Sequence, residues 1–257
     1  MKHRIQDLFE HKKAFIAYIT AGDPSLKETE KLIIELEKAG VDLIEIGLPF
    51  SDSIADGPVI QASHLRAIEA GTNLPKIIQM LRHVRRKTRI PIVVVGSFHL
   101  FYAYGVEQTL ATLKDLQIDG IICPDLSIEE GVEFSARCKH LGICPIFLAA
   151  PTSTPERLEK IGKLSDGFVY LISRAGITGA DQNLSKNISE LVENTHKYIE
   201  MPLAVGFGIS TPAHVKTVTK VAEGVIVGSV LIDLLEEKGS RKMIDYVKSL
   251  VKEVAKK

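Results

Sequence analysis

Apolar and polar positions along this chain follow two rhythms that take turns. Short runs rich in Val, Ile and Leu fall at residues 15–20, 43–48, 90–96, 120–124, 145–149, 168–173, 203–207 and 224–227. Between them, apolar residues recur every three or four positions, as in 26–39 (Leu32, Ile33, Leu36) and 132–140. The first rhythm predicts buried strands and the second amphipathic helices. Strands that alternate with helices are parallel, because each crossover returns the chain to the same end of the sheet. Eight such units over residues 1–257 predict an α/β fold, a single (β/α)8 barrel rather than an open doubly wound sheet. The opening segment adds a short amphipathic helix with Ile5, Leu8 and Phe9 on one face. After the last strand come a short extra helix near 231–237, a Gly239-Ser240 break and a final helix from about Arg241.

Composition changes this picture little. Charged residues make up 25% and apolar residues 45%, and the net charge is zero. Balanced charge gives no basic face for nucleic acid and no membrane surface. No apolar run reaches the ~18 residues of a membrane span, and the first residues lack the apolar middle of a signal peptide. A cytoplasmic location is the expectation. Cys123, Cys138 and Cys144 lack metal-ligand spacing, so buried free thiols and no metal site are expected.

A barrel keeps its chemistry at the C-terminal ends of its strands. After the seventh run stands Gly206-Phe207-Gly208-Ile209-Ser210-Thr211-Pro212. Ser210 or Thr211 can cap the following helix and Pro212 suits its first turn, which leaves backbone N–H groups for an anion. After the eighth run, Gly228-Ser229 opens the short extra helix, so a phosphate is expected between the two segments. The loop after the sixth run, residues 173–181, has the length and glycines of a lid. The second run carries Glu45 on the same face as Leu43 and Gly47, inside the barrel near its mouth. Burial there would raise its pKa and make it a usable acid or base near neutrality. Asp56, in the loop that follows, can swing over the mouth toward Glu45.

The segments ITAGDPS (19–25), IEIGLPFSDSIADGPVIQ (44–61), CPDL (123–126), YLISRAGITGA (170–180), VGFGIS (205–210) and VGS (227–229) together resemble the tryptophan synthase α subunit family over nearly the full length. The resemblance implies a lyase that splits indole-3-glycerol phosphate by retro-aldol cleavage into indole and glyceraldehyde 3-phosphate. It implies Glu45 as the acid/base and Asp56 as the carboxylate on the indole N–H. It implies Tyr170 as a supporting tyrosine, Tyr18 and Phe207 as indole-pocket residues, and Thr178 as the lid residue that orients Asp56. Gly179, Gly208, Gly228 and Ser229 match the phosphate site. No cofactor is implied for this chain. Pyridoxal phosphate would belong to a partner β subunit in an α2β2 heterotetramer, which receives the indole.

The chain departs from the usual family pattern in three places. Gly96-Ser97 stands where a tyrosine is usual at the second position, and His99 where an asparagine is usual. Ser51-Asp52-Ser53 replaces Ser-Asp-Pro, and Asp125-Leu126-Ser127 replaces Asp-Leu-Pro. Losing a proline should free each loop backbone. The departures leave open a second reading, a catalytically weak barrel that mainly activates a β subunit.

Overall fold

The computed structural model describes residues 3–173, 182–206 and 208–256, without the side chains of 182–186. Its strands are β1 (Ala14–Thr20), β2 (Leu43–Gly47), β3 (Ile92–Val95), β4 (Gly120–Ile122), β5 (Cys144–Pro145), β6 (Leu148–Ala149), β7 (Val169–Ile172), β8 (Leu203–Gly206) and β9 (Gly224–Val227). All pairs are parallel, and β1 lies between β2 and β9. The expected fifth strand is two pieces: β5 pairs with β4, and β6 with β7. At the break, the Phe147 N–H goes to the Ser165 hydroxyl (3.3 Å) instead of a strand neighbour. The Phe147 carbonyl still accepts from Tyr170 N (3.1 Å), and Ile146 N donates to the Ile121 carbonyl (3.0 Å). One stave thus bridges both neighbours and closes the eight-stave barrel.

Side-chain alternation sorts the apolar residues into two cores. Ile16, Leu43, Val93, Ile122, Ile146, Phe168 and Ile226 fill the barrel interior. Ile44, Ile46, Val94, Val169 and Val225 face outward and pack against the helices. Among these are α2 (Leu26–Lys38), α3 (Pro58–Glu69) and α4 (Leu74–Arg85).

The expected opening helix is α1 (Arg4–His11). Ile5 and Phe9 join the barrel interior, and the Phe9 ring meets Phe168 at 5.5 Å between centroids. Arg4 bonds Asp119 (2.6 Å), whose other carboxylate oxygen takes Arg85 (3.0 Å) and Ile92 N (2.8 Å). The N-terminal end of the barrel is therefore stoppered by apolar side chains and ringed by paired charge. The two expected C-terminal helices both lie within α5 (Ser229–Val251), separated as expected at Gly239, whose non-helical backbone with a φ of 76° suits glycine. No helix among the described residues is long and apolar enough to cross a membrane.

Candidate active site at the barrel mouth

Glu45 stands where the alternation puts it, on the inner face of β2 beside Tyr18 of β1 and Val93 of β3. It is 1% exposed, and its Oε1 has no hydrogen-bond partner among the described residues. Burial pushes its pKa up to about 8. A carboxyl in such a place is held neutral at pH 7, because ionising it would leave an unpaired charge in a poorly solvated site.

Two tyrosines roof this acid, and two glycines make room for them. A Cβ on Gly47 would lie 2.0 Å from the Tyr18 hydroxyl, and one on Gly206 would lie 2.2 Å from the Tyr170 hydroxyl. Each ring therefore leans one step toward the mouth, into space that only glycine leaves open. Burial, above all, raises both phenol pKa values, and the charges of Glu45 and Asp56 add to the effect. Tyr18 and Tyr170 are thus the residues that the two carboxyl groups share.

Asp56 lies in the loop between β2 and α3. Burial raises its pKa to about 6, with the Ser53 hydroxyl pulling the other way. Gln61 of α3 donates to the carbonyls of Ser53 (3.2 Å) and Asp56 (2.9 Å), and Asp56 N donates to the Ser53 carbonyl (3.2 Å). The backbone expected to be free after the loss of proline is held by this amide clamp. Likewise Ser127 donates to Glu130 Oε2 (2.8 Å) and accepts from Glu130 N (3.2 Å). In both loops side-chain bonds supply the restraint that the missing ring does not.

The cleft beside Asp56 opens to solvent, with Tyr18, Leu48, Phe50, Val95 and Pro124 on its walls. Glu45 lies beneath it rather than on its wall. Ser97 is small, but it is not idle. Its hydroxyl donates to Asp125 Oδ2 (2.6 Å) and accepts from His99 N (3.2 Å), while Phe98 N donates to Asp125 Oδ1 (2.8 Å). These bonds join the loops after β3 and β4. The His99 ring lies 6.4 Å from that of Phe50, tilted.

The expected phosphate cradle is corrected in one half. Thr211 does cap the helix Pro212–Val221, accepting from His214 N (3.2 Å). The Ser210 N–H is taken by His214 Nδ1 (3.3 Å), and the Ser210 carbonyl accepts from Tyr246 (2.6 Å). Those groups hold the loop to its own helix and to α5, so fewer N–H groups face a ligand there. At the other half the expected helix start is present. Gly228 caps α5 with no side-chain bond, and Ser229 is exposed at its first turn. Gly208 has a φ of 74°, with open space where a Cβ would be. Thr178, Gly179 and Phe207, and the expected lid apart from Ser173, lie outside the described residues.

Sequence reasoning missed His64. It sits on the buried face of α3 with Ile60, Ser63 and Ala67. Its Nε2 is 3.0 Å from the Tyr18 hydroxyl, and its Nδ1 accepts from Phe50 N (3.4 Å). The available signal was a polar residue at a core position of an amphipathic helix. The three cysteines are free and buried, as expected. Cys144 does group with His3 and Asp166 within metal-ligand reach, at the N-terminal end of the barrel. There Asp166 Oδ1 already accepts from Gln6 (2.8 Å) and Gly167 N (2.7 Å).

Comparison with known proteins agrees with this architecture. The family model described as tryptophan synthase alpha chain matches residues 5–257. A tryptophan synthase alpha chain of Geotalea daltonii is 45% identical over 240 residues, 93% of this chain and 91% of that one. The crystal structure of tryptophan synthase subunit alpha from Legionella pneumophila superposes with a TM-score of 0.91 at 29% identity, covering 99% of both chains. A chain from a study of mutual activation in the tryptophan synthase α2β2 complex of Pyrococcus furiosus superposes with a TM-score of 0.86. It is 37% identical, covering 95% of this chain and 98% of that one. With a family model that spans almost every residue and solved relatives that share the whole barrel, this chain belongs to the tryptophan synthase alpha chain family.

Proposed function

We propose that this chain cleaves indole-3-glycerol phosphate to indole and glyceraldehyde 3-phosphate, with Glu45 and Asp56 in separate roles. The observation that carries this reading is the split between the two carboxyl groups, one near 8 and the other near 6. At pH 7 the first is an acid and the second an anion. Paired groups pushed apart by their surroundings are what acid and charge-stabilising roles require.

Glu45 gives its proton to indole C3, and the positive charge that spreads to the ring N–H is met by the Asp56 carboxylate. The ionised Glu45 then takes the proton from the glycerol hydroxyl next to the bond to be broken. As that oxygen becomes an aldehyde, the carbon–carbon bond breaks and its electrons return to the ring. Indole is released neutral, and Glu45 has its proton back. The reaction needs neither a metal nor an organic cofactor. Tyr18 and Tyr170 exclude water from Glu45 and wall the ring. Gly208, Gly228, Ser229 and Gly179 are the proposed phosphate contacts, with Thr178 and Phe207 as proposed lid and pocket residues.

The proposed partner is a pyridoxal-phosphate β subunit that consumes the indole. Exposed apolar side chains support a docking face around the mouth: Ile54 of the Asp56 loop is 82% exposed and Tyr102 is 70% exposed. The test is indole release from indole-3-glycerol phosphate, by the chain alone and with a β subunit added. Indole in either mixture is expected, with more in the second. No indole in either, with β activity still raised, would replace the lyase by an activator.

A further inference from the structure

The reaction uses two acids that reach the mouth by different routes. Glu45 is fixed by a strand, Asp56 only by a loop. Something has to set the loop against the strand. Gln61 clamps the loop at Ser53 and Asp56, but Gln61 and the loop both belong to the α3 side. A link to the barrel wall is a separate requirement.

His64 makes such a link. Phe50 stands near the start of the loop, three residues past the end of β2, and its N–H points at His64 Nδ1 (3.4 Å). That nitrogen therefore presents its lone pair, and the proton of the neutral ring sits on Nε2. Nε2 meets the Tyr18 hydroxyl at 3.0 Å. Burial, the largest influence, lowers the imidazole pKa, against smaller opposing pulls from the Phe50 backbone and Asp23. The ring is thus neutral, and both of its nitrogens are in use. None is left to exchange a proton with a substrate. Beside it, Ser63 fixes the helix to β1, with its hydroxyl 2.6 Å from that of Thr20 and 2.7 Å from the Ile60 carbonyl. The imidazole is therefore mounted on a helix that is itself bolted to the strand bearing Tyr18.

We propose that His64 is a positioning residue that ties the start of the Asp56 loop to Tyr18, and so sets the loop carboxylate against the roof of Glu45. This role rests on the cleavage reading above. An apolar side chain would fill the same place on α3 but would leave the Phe50 N–H and the Tyr18 hydroxyl without these partners.

Three variants separate the two bonds. In His64→Asn the amide reaches where Nδ1 stands, so it keeps the Phe50 bond and loses Tyr18. In His64→Gln the amide reaches where Nε2 stands, so it keeps Tyr18 and loses Phe50. His64→Ala loses both. Exchange of the Phe50 amide proton is expected to quicken about tenfold in the Gln and Ala variants and to stay near wild type in the Asn variant, the worth of roughly one hydrogen bond. With indole-3-glycerol phosphate, the Gln variant should raise KM about tenfold, because the loop is loosened before substrate binds. The Asn variant should lower kcat about tenfold, because the roof over Glu45 is loosened. Equal shifts of kcat and KM in all three, or unchanged Phe50 exchange in the Ala variant, would reduce His64 to a packing residue. A wild-type chain that releases no indole with or without a β subunit overturns the cleavage reading instead, and Phe50 exchange in the Asn and Gln variants then decides the tie alone.

Discussion

The two ends of the barrel each bury a carboxylate, and they treat it in opposite ways. At the N-terminal end Asp119 is 6% exposed and bonded to Arg4, Arg85 and Ile92 N. At the mouth Glu45 is 1% exposed and its Oε1 has no partner among the described residues. Burial lowers the Arg85 pKa only to about 10, so the guanidinium stays charged at neutral pH and serves its partner. The first acid is stabilised by pairing; the second is left to hold a proton. A buried group that the fold satisfies belongs to the fold. A buried group that the fold leaves unsatisfied is available for chemistry.

The difference breaks most sharply at Glu45. Glu45→Gln should cut indole release by roughly 10³-fold, since the proton donor and acceptor are both gone. The contrast then extends to stability. Glu45 keeps its proton up to about pH 8 in the folded chain, against an ordinary value of 4.5. Between those values the folded chain binds a proton that the unfolded chain has lost, so stability falls as pH rises through the window. Denaturant titrations at pH 5 and pH 8 should show that fall, and the Gln variant should lack on the order of 3 kcal/mol of it. A wild-type chain equally stable at both values would contradict the buried neutral acid.

The next largest effect is expected at Asp56. Asp56→Asn should lower kcat/KM by roughly 10²-fold, the scale of one lost charge-stabilising contact. The wild-type profile should fall below about pH 6, as Asp56 takes a proton, and above about pH 8, as Glu45 loses one. In the Asn variant the acid limb should vanish and the alkaline limb remain. An acid limb that persists would assign it to another group. The smallest effect on turnover is expected at the far end. Asp119→Ala leaves the Arg85 guanidinium buried without its partner and should cost about 3 kcal/mol of folding stability. Activity per folded chain, measured by active-site-normalised rates, should stay within about twofold.

Much of this contrast could be read from the chain before any coordinates. The inward place of Glu45 follows from two-residue alternation between Leu43 and Gly47, and the stopper from the spacing of Ile5, Leu8 and Phe9. These are local rules, and local rules are visible in a string of residues. The features that escaped depend on partners brought close by the fold. The fifth stave splits because Ser165, 18 positions away, takes the Phe147 N–H. His64 reads as an ordinary helix residue until Phe50 and Tyr18 meet it from a loop and a strand. The Ser210 N–H looked free for an anion because nothing in the sequence shows the His214 ring turning back on it. The lost prolines looked like lost restraint because Gln61 and Ser127 act through side chains whose direction only the fold sets.

The glycines under the tyrosine hydroxyls carry a consequence for how this mouth can change over generations. At Gly47 a single methyl group would collide with the Tyr18 phenol at 2.0 Å. Gly47→Ala in the present background therefore forces the Tyr18 ring to move, while Tyr18→Ala opens the space that the methyl would fill. The reverse order passes through an ancestor whose Tyr18 ring is displaced from its place over the mouth. A lineage that remodels this pocket meets less resistance if it widens it before it narrows it, so one missing carbon atom biases the order of two substitutions.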